Sequence, residues 1–219
     1  MNPQVKFVLF EPSHPGNVGA AARAIKTMGF DLLCLINPKE HPHPEARARS
    51  SGALDVLLDA EVCDNLNDAI ENCGLVVGTT SRTRRISAPT STIRDIASSI
   101  INKAKHKPVA ILFGPEKTGL MNEQIDCCNQ LIHIPSSQLY RSLNLAMAIQ
   151  IIAYELHFAW QALPSEIETR NLASNSEMEL FYEHLNQVLL ETGFLNPRNP
   201  RQLMRRLRTL FNRAQLDEN

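Results

Sequence analysis

Five short, unbroken apolar runs alternate with helical patterns along this 219-residue chain, and that alternation leaves few folds open. The runs are residues 5–10, 32–36, 75–79, 109–113 and 131–134. A strand with one wet face alternates apolar and polar residues; these do not, so both faces of their sheet must be covered. Between the runs lie an Ala-rich helical stretch over 18–28 closed by Gly29, a helix through Arg47 and Leu57, and a short helix over 66–72. Thr92 with Asp95 then opens a further helix as a capping box. The pattern predicts an α/β fold: a mostly parallel sheet covered by helices on both faces.

Residues 143–163 predict a long helix that is apolar on too many sides for a surface helix. It is expected to pack on the sheet and on a partner subunit. The resulting domain spans 1–163, a polar connector 164–175, and a helical C-terminal extension 176–219. Ser176 with Glu179 is expected to cap the first helix of the extension, Gly193 to close it, and Asn199-Pro200 to open the second. Such a hairpin buries little apolar surface alone and must dock on something.

No apolar run is long enough to span a bilayer, and the first residues lack the basic-then-apolar pattern of a secretory signal. The five cysteines form no CxxC pair, which predicts a reduced, cytoplasmic protein without structural zinc or another metal. His41 and His43 sit in a Pro-rich loop with no neighbouring Asp or Cys, so a solvated loop is expected there rather than a chelate. A net charge of −1 gives no global argument for a nucleic-acid partner, but its distribution does. Arg82, Arg84 and Arg85 follow one strand, and Arg198, Arg201, Arg205, Arg206, Arg208 and Arg213 crowd the tail with no acidic residue among them. An isolated basic run is often a solvated helix face; two such clusters beside a candidate site favour a phosphate-bearing partner.

Three polar segments interrupt this apolar frame: Asn17 to Arg23, Phe113 to Gly119, and Ile134 to Ala146. Each follows a strand, where open α/β sheets build ligand sites. Familiar cofactor signatures fail: Gly119 is followed by Leu120 rather than Lys-Ser/Thr, and there is no GxGxxG, GxSxG or HExxH. What remains is a backbone-lined pocket, with Gly78 to Ser81, Phe113-Gly114 and Ile134-Pro135 ending strands where main-chain groups can face a ligand. Arg23 could be a plain helix-surface residue, Glu116 a turn cap and Ser142 an N-cap; Asn144, inside an apolar stretch, should be buried and hydrogen-bonded if structural.

Taken together, Asn17-x-Gly-x-x-x-Arg23, Phe113-Gly-x-Glu116-x-x-Gly-Leu120 and Ile134-Pro…Ser142-Leu-Asn144-Leu-Ala146 resemble the signature of the SpoU-type ribose 2′-O-methyltransferases of the SPOUT class, with no departure at a signature position. The text around Phe10 to Asn17 and the Arg-rich tail is similar to the TrmJ branch, which methylates cytidine or uridine ribose at position 32 of the tRNA anticodon loop. The resemblance implies S-adenosylmethionine as donor, a deep C-terminal trefoil knot and a homodimer. It implies cofactor contacts at Thr79, Thr80, Ser81, Gly114, Ile134, Arg141, Ser142 and Leu143. Arg23 is implied as catalytic, with Ser142, Asn144, Asn17 and Glu116 around the reacting centre. tRNA would be gripped by Arg82, Arg84 and Arg85 near the pocket and by Arg198, Arg201, Arg205 and Arg206 on the tail. Other expectations compatible with the residues are a different tRNA or rRNA ribose, or an RNA-binding member without catalysis. With aromatics at only 5%, phosphate contacts rather than base stacking should dominate affinity.

Overall fold

The computed structural model describes residues 3–81, 90–137, 139–162, 172–196, 202–214 and 216–217. The elements run β1 (Val5–Phe10), α1 (Pro15–Thr27), β2 (Leu32–Ile36), α2 (Pro44–Ser50), a 3₁₀ turn (Ser51–Ala53), α3 (Leu54–Leu58), β3 (Glu61–Cys63), α4 (Leu66–Ile70), β4 (Leu75–Thr79), β5 (Thr90–Thr92), α5 (Ile93–Ala104), β6 (Val109–Phe113), α6 (Asn122–Asp126), β7 (Gln130–His133), α7 (Leu145–Ala162), α8 (Asn175–Glu191) and α9 (Leu203–Ala214). Among the described residues one sheet holds the seven strands in the order β3-β2-β1-β6-β4-β7-β5, and the pairings between them are parallel. One sheet face is covered by α1, α3, α5 and α7 around Phe7, Leu9, Ile25 and Ile149; the other carries Val8, Cys34, Val76, Leu112 and Leu131 under α4 and α6. The unbroken apolar runs are thus explained, since successive side chains enter opposite cores.

Two strands lie outside the sequence expectation. β3 (Glu-Val-Cys) and β5 (Thr-Ser-Thr) are three residues each at the two edges of the sheet, too short and too polar to read as buried runs. The helix expected through Arg47 and Leu57 is broken at Ser51, whose φ of 50° ends α2 before the 3₁₀ turn. The Thr92–Asp95 capping box is present. On α8 the cap is Ser174 with Glu177, two residues earlier than expected: the stretch holds two overlapping Ser-x-x-Glu patterns, and Glu179 is taken instead by Arg208, with oxygens 2.6 Å from the guanidinium. The expected Asn199-Pro200 cap lies outside the described residues.

The extension docks by polar contacts. Asn175 and Ser176 donate their N–H groups to the carbonyls of Cys73 (2.8 Å) and Glu71 (3.1 Å). The buried Tyr182 hydroxyl donates to Asn212 (2.7 Å), whose amide reaches the Cys128 carbonyl (3.3 Å). The Arg205 guanidinium lies 2.9 Å from Asp126 at the end of α6. Among the described residues, no helix is long and apolar enough to cross a membrane.

Candidate active site

The order β6-β4-β7 makes neighbours of three strands that are far apart in sequence, so the loops leaving their carboxyl ends converge. They enclose a cavity of about 700 Å³. Thr79, Thr80 and Ser81 line it after β4, Gly114 with Glu116 and Lys117 after β6, and Ile134, Arg141, Ser142 and Leu143 after β7. Backbone bonds fix the rim: the Thr80 N–H donates to the Ile132 carbonyl (2.9 Å) and the Thr79 hydroxyl to that of Leu112 (2.9 Å). The loop after β6 folds back on itself so tightly that a Cβ on Gly114 would sit 2.2 Å from the Gly119 carbonyl carbon and the Leu120 nitrogen. Only glycine fits there.

A polar network stands beside the cavity and ties the three segments together. The Glu116 carboxylate accepts from the Ser13 hydroxyl (2.7 Å), the Ser13 N–H (3.0 Å), the His14 N–H (3.3 Å) and the Asn17 amide (2.9 Å). Asn17 in turn accepts from the Asn144 amide (3.0 Å), and the Asn144 oxygen takes the N–H groups of Ala146 (2.9 Å) and Met147 (3.4 Å) at the start of α7. Asn144 therefore caps α7, the task the sequence left open for Ser142, which instead lines the cavity. Partial burial works against the Glu116 carboxylate, but the bonds from Asn17 and Ser13 outweigh it and hold its pKa at about 2. At neutral pH it is a fixed anion, not a proton carrier.

This carboxylate should set an acid limit. Its pKa is depressed from 4.5 to about 2, so its contribution to stability is complete above pH 4.5 and is lost as the pH falls from there towards 2. For a group this accessible to solvent the loss is about 1–2 kcal/mol. Denaturant midpoints measured from pH 6 to pH 2.5 should show the decline, and the Glu116→Gln protein should lack this component.

Arg23 takes no part in the cavity lining. It projects from the exposed side of α1, one turn beyond Gly19, where α1 crosses α2 so closely that a Cβ would lie 2.0 Å from the Ala46 carbonyl oxygen. Ser13, His14 and Lys117 are site residues absent from the sequence candidates; the signal for the first two was the Pro12-Ser-His-Pro15 break before α1, which leaves free N–H groups at a strand end. Of the arginines expected to grip RNA, Arg82, Arg84, Arg85, Arg198 and Arg201 lie outside the described residues. Arg205 is held by Asp126 and does docking work on α6, a pairing that sequence distance concealed, whereas Arg206 is exposed.

Residues 4–154 match the SpoU rRNA Methylase family, and residues 176–219 match the C-terminal domain of the tRNA methyltransferase TrmJ. The chain is 44% identical to the tRNA (cytidine/uridine-2′-O-)-methyltransferase TrmJ of Cronobacter sakazakii, over 96% of this chain and 88% of that protein. The chain belongs to the SpoU methylase family, in its TrmJ branch. A second TrmJ, the tRNA (cytidine/uridine/adenosine-2′-O-)-methyltransferase of Pseudomonas aeruginosa, is 41% identical over 98% of this chain and 88% of its own length. The crystal structure of TrmJ from Z. mobilis superposes with a TM-score of 0.83 at 31% identity, covering 97% of this chain and 92% of that one. The TrmJ-branch likeness thus runs through the extension as well as the sheet domain.

Proposed function

We propose that this chain methylates the ribose 2′-hydroxyl of tRNA with S-adenosylmethionine as donor, at cytidine or uridine 32 of the anticodon loop. The observation that carries the reading is that the second and third signature segments line one cavity, with the first tied to both beside it by the Glu116–Asn17–Asn144 network. The cavity has the size of a small-molecule site and is walled by backbone and hydroxyl groups suited to an adenosine. When bound, the donor supplies a methyl carbon on a sulfonium, which the ribose oxygen takes by in-line displacement. Thr79, Thr80, Ser81, Gly114, Ile134, Arg141, Ser142 and Leu143, which line the cavity, would hold the donor. Arg23, a permanent cation without a protein partner among the described residues, clamps the substrate phosphate and steadies the alkoxide as it forms. The leaving proton passes to water or phosphate, because a guanidinium is a poor base. Ser13, Glu116 and Asn17 keep the start of α7 and Ser142 in register with the cavity.

The working unit in this reading is a homodimer. Met147, Tyr154 and Phe158 stand 62%, 51% and 61% exposed on α7, and with Ile151 they form a stripe at i, i+4, i+7 and i+11. A row of that spacing on a helix whose opposite side, Ile149, Ile152 and Leu156, is buried on the sheet is built to meet a second helix. Met147→Asp with Phe158→Asp should yield monomers in analytical ultracentrifugation and lower turnover more than tenfold, since each buried side chain of this size contributes about 1.5–3 kcal/mol. An unchanged dimer would overturn the assignment. The sheet domain is further read as a trefoil knot, on its likeness to the SPOUT class; β7 lies between β4 and β5, both earlier in the chain. The domain division is read as 1–163 and 176–219, joined by 164–175, with α8 and its Ser174 cap beginning inside that connector. Acting on tRNA, the enzyme works in the cytoplasm and calls for no metal in the reaction.

Mass mapping of ribose methylation in total tRNA, with and without the protein, tests the activity directly. Methylation confined to another ribose would change the substrate and leave the chemistry. Absence of S-adenosylmethionine binding in calorimetry at millimolar cofactor with RNA present would remove the enzyme reading.

A further inference from the structure

We propose that Cys34, Glu61 and Cys63 form a binding site for one thiophilic divalent cation, zinc by preference, at the β3 edge of the sheet. The pleat brings them together: Cys34 on β2 is the register partner of Glu61 on β3, and Cys63 stands two residues on, so all three share one face. The thiol sulfurs are 3.7 Å apart, and the Cys63 sulfur is 3.5 Å from Glu61 Oε1. Around a tetrahedral zinc with ordinary bond lengths, sulfur–sulfur edges are about 3.75 Å and sulfur–oxygen edges about 3.5 Å. The three donor atoms lie within 4.8 Å of one another. Glu61 is the exposed member of the set, so its carboxylate is the donor with room to adjust.

Charge and access agree with this occupant. Two thiolates and a carboxylate around a dication leave one negative charge, and the Lys6 ammonium, 2.7 Å from Glu61 Oε2, cancels it. Lys6 is fixed in turn by the Ala69 carbonyl (3.1 Å), so the second carboxylate oxygen has a seated partner. Cys34 is fully buried and Cys63 nearly so, while the Glu61 side chain is 48% exposed. The ion would enter from that side and keep a water as fourth ligand. Binding exchanges two thiol protons for one cation, and both protons leave to solvent. The site lies three strands from β6, away from the cavity, so its effect is a clamp on an edge strand of three residues rather than a part in methyl transfer.

Titration of the reduced protein with cadmium, followed by the thiolate-to-metal charge-transfer band, and with zinc in competition, tests this. One equivalent should saturate the band, zinc should displace cadmium, and zinc should raise the melting temperature while leaving methyl transfer unchanged. Cys63→Ser should abolish the band. Glu61→Gln, at an exposed position that keeps the fold, should weaken affinity more than about tenfold. A missing band at one equivalent overturns the site, as does a band that survives Cys63→Ser with unchanged affinity.

Discussion

Arg23→Ala is expected to lower kcat for ribose methylation by about 10²–10³ or more, the loss typical of removing one donor to developing negative charge. The side chain is exposed, stands outside the lining of the cavity described above and has no partner among the described residues, so its removal costs the fold little. Melting temperature, oligomeric mass and S-adenosylmethionine affinity should stay close to those of the parent protein. Arg23→Lys keeps the charge but loses the planar fork, and should recover only part of the rate. Single-turnover assays with saturating tRNA separate this from weakened RNA binding: a phosphate clamp acting only on affinity would be rescued by excess tRNA. Full activity in Arg23→Ala would remove the residue from the reaction.

Glu116→Gln should be nearly as damaging, for a different reason. Four donors converge on the carboxylate, from the hydroxyl and N–H of Ser13, the N–H of His14 and the amide of Asn17. An amide at that place offers one acceptor oxygen and sets an NH₂ group against donors, leaving a partly buried group unmatched at a cost of about 1–3 kcal/mol. Asn17 then loses the bond that orients it towards Asn144, and the start of α7 loosens beside Ser142. Expected are a lower melting temperature, a kcat reduced by about 10²-fold in keeping with positioning losses of this kind, and loss of the acid-dependent stability component below pH 4.5. A protein that is less stable yet turns over at the parent rate would make Glu116 a folding residue alone.

The cysteines show how far the sequence could go. Burial pushes the thiols of Cys73 and Cys127 up to about 11 and those of Cys34, Cys63 and Cys128 upward as well, so without a bound cation they stay protonated at neutral pH. The pairing of Cys34 with Cys63 stayed hidden because they are 29 positions apart and one sits on a strand too short to recognise. Arg205 shows the same limit: as a letter in an Arg-rich tail it reads as an RNA contact, and its ion pair with Asp126, 79 residues earlier, becomes visible only in space.

What the sequence determined by itself was the set of things governed by neighbours in the chain. Unbroken apolar runs required a sheet covered on both faces, the capping box at Thr92 fixed a helix start, and the three polar segments marked where the strands end in a site. Tertiary structure alone decided which strand ends are adjacent, through the order β6-β4-β7, and so which loops share a cavity. It also decided that Glu116 serves as a hub, because its partners lie 99 to 103 residues away and Asn144 reaches Asn17 across 127. Propensity and capping act over a few residues; hydrogen bonds across such distances exist only once the sheet has set its order.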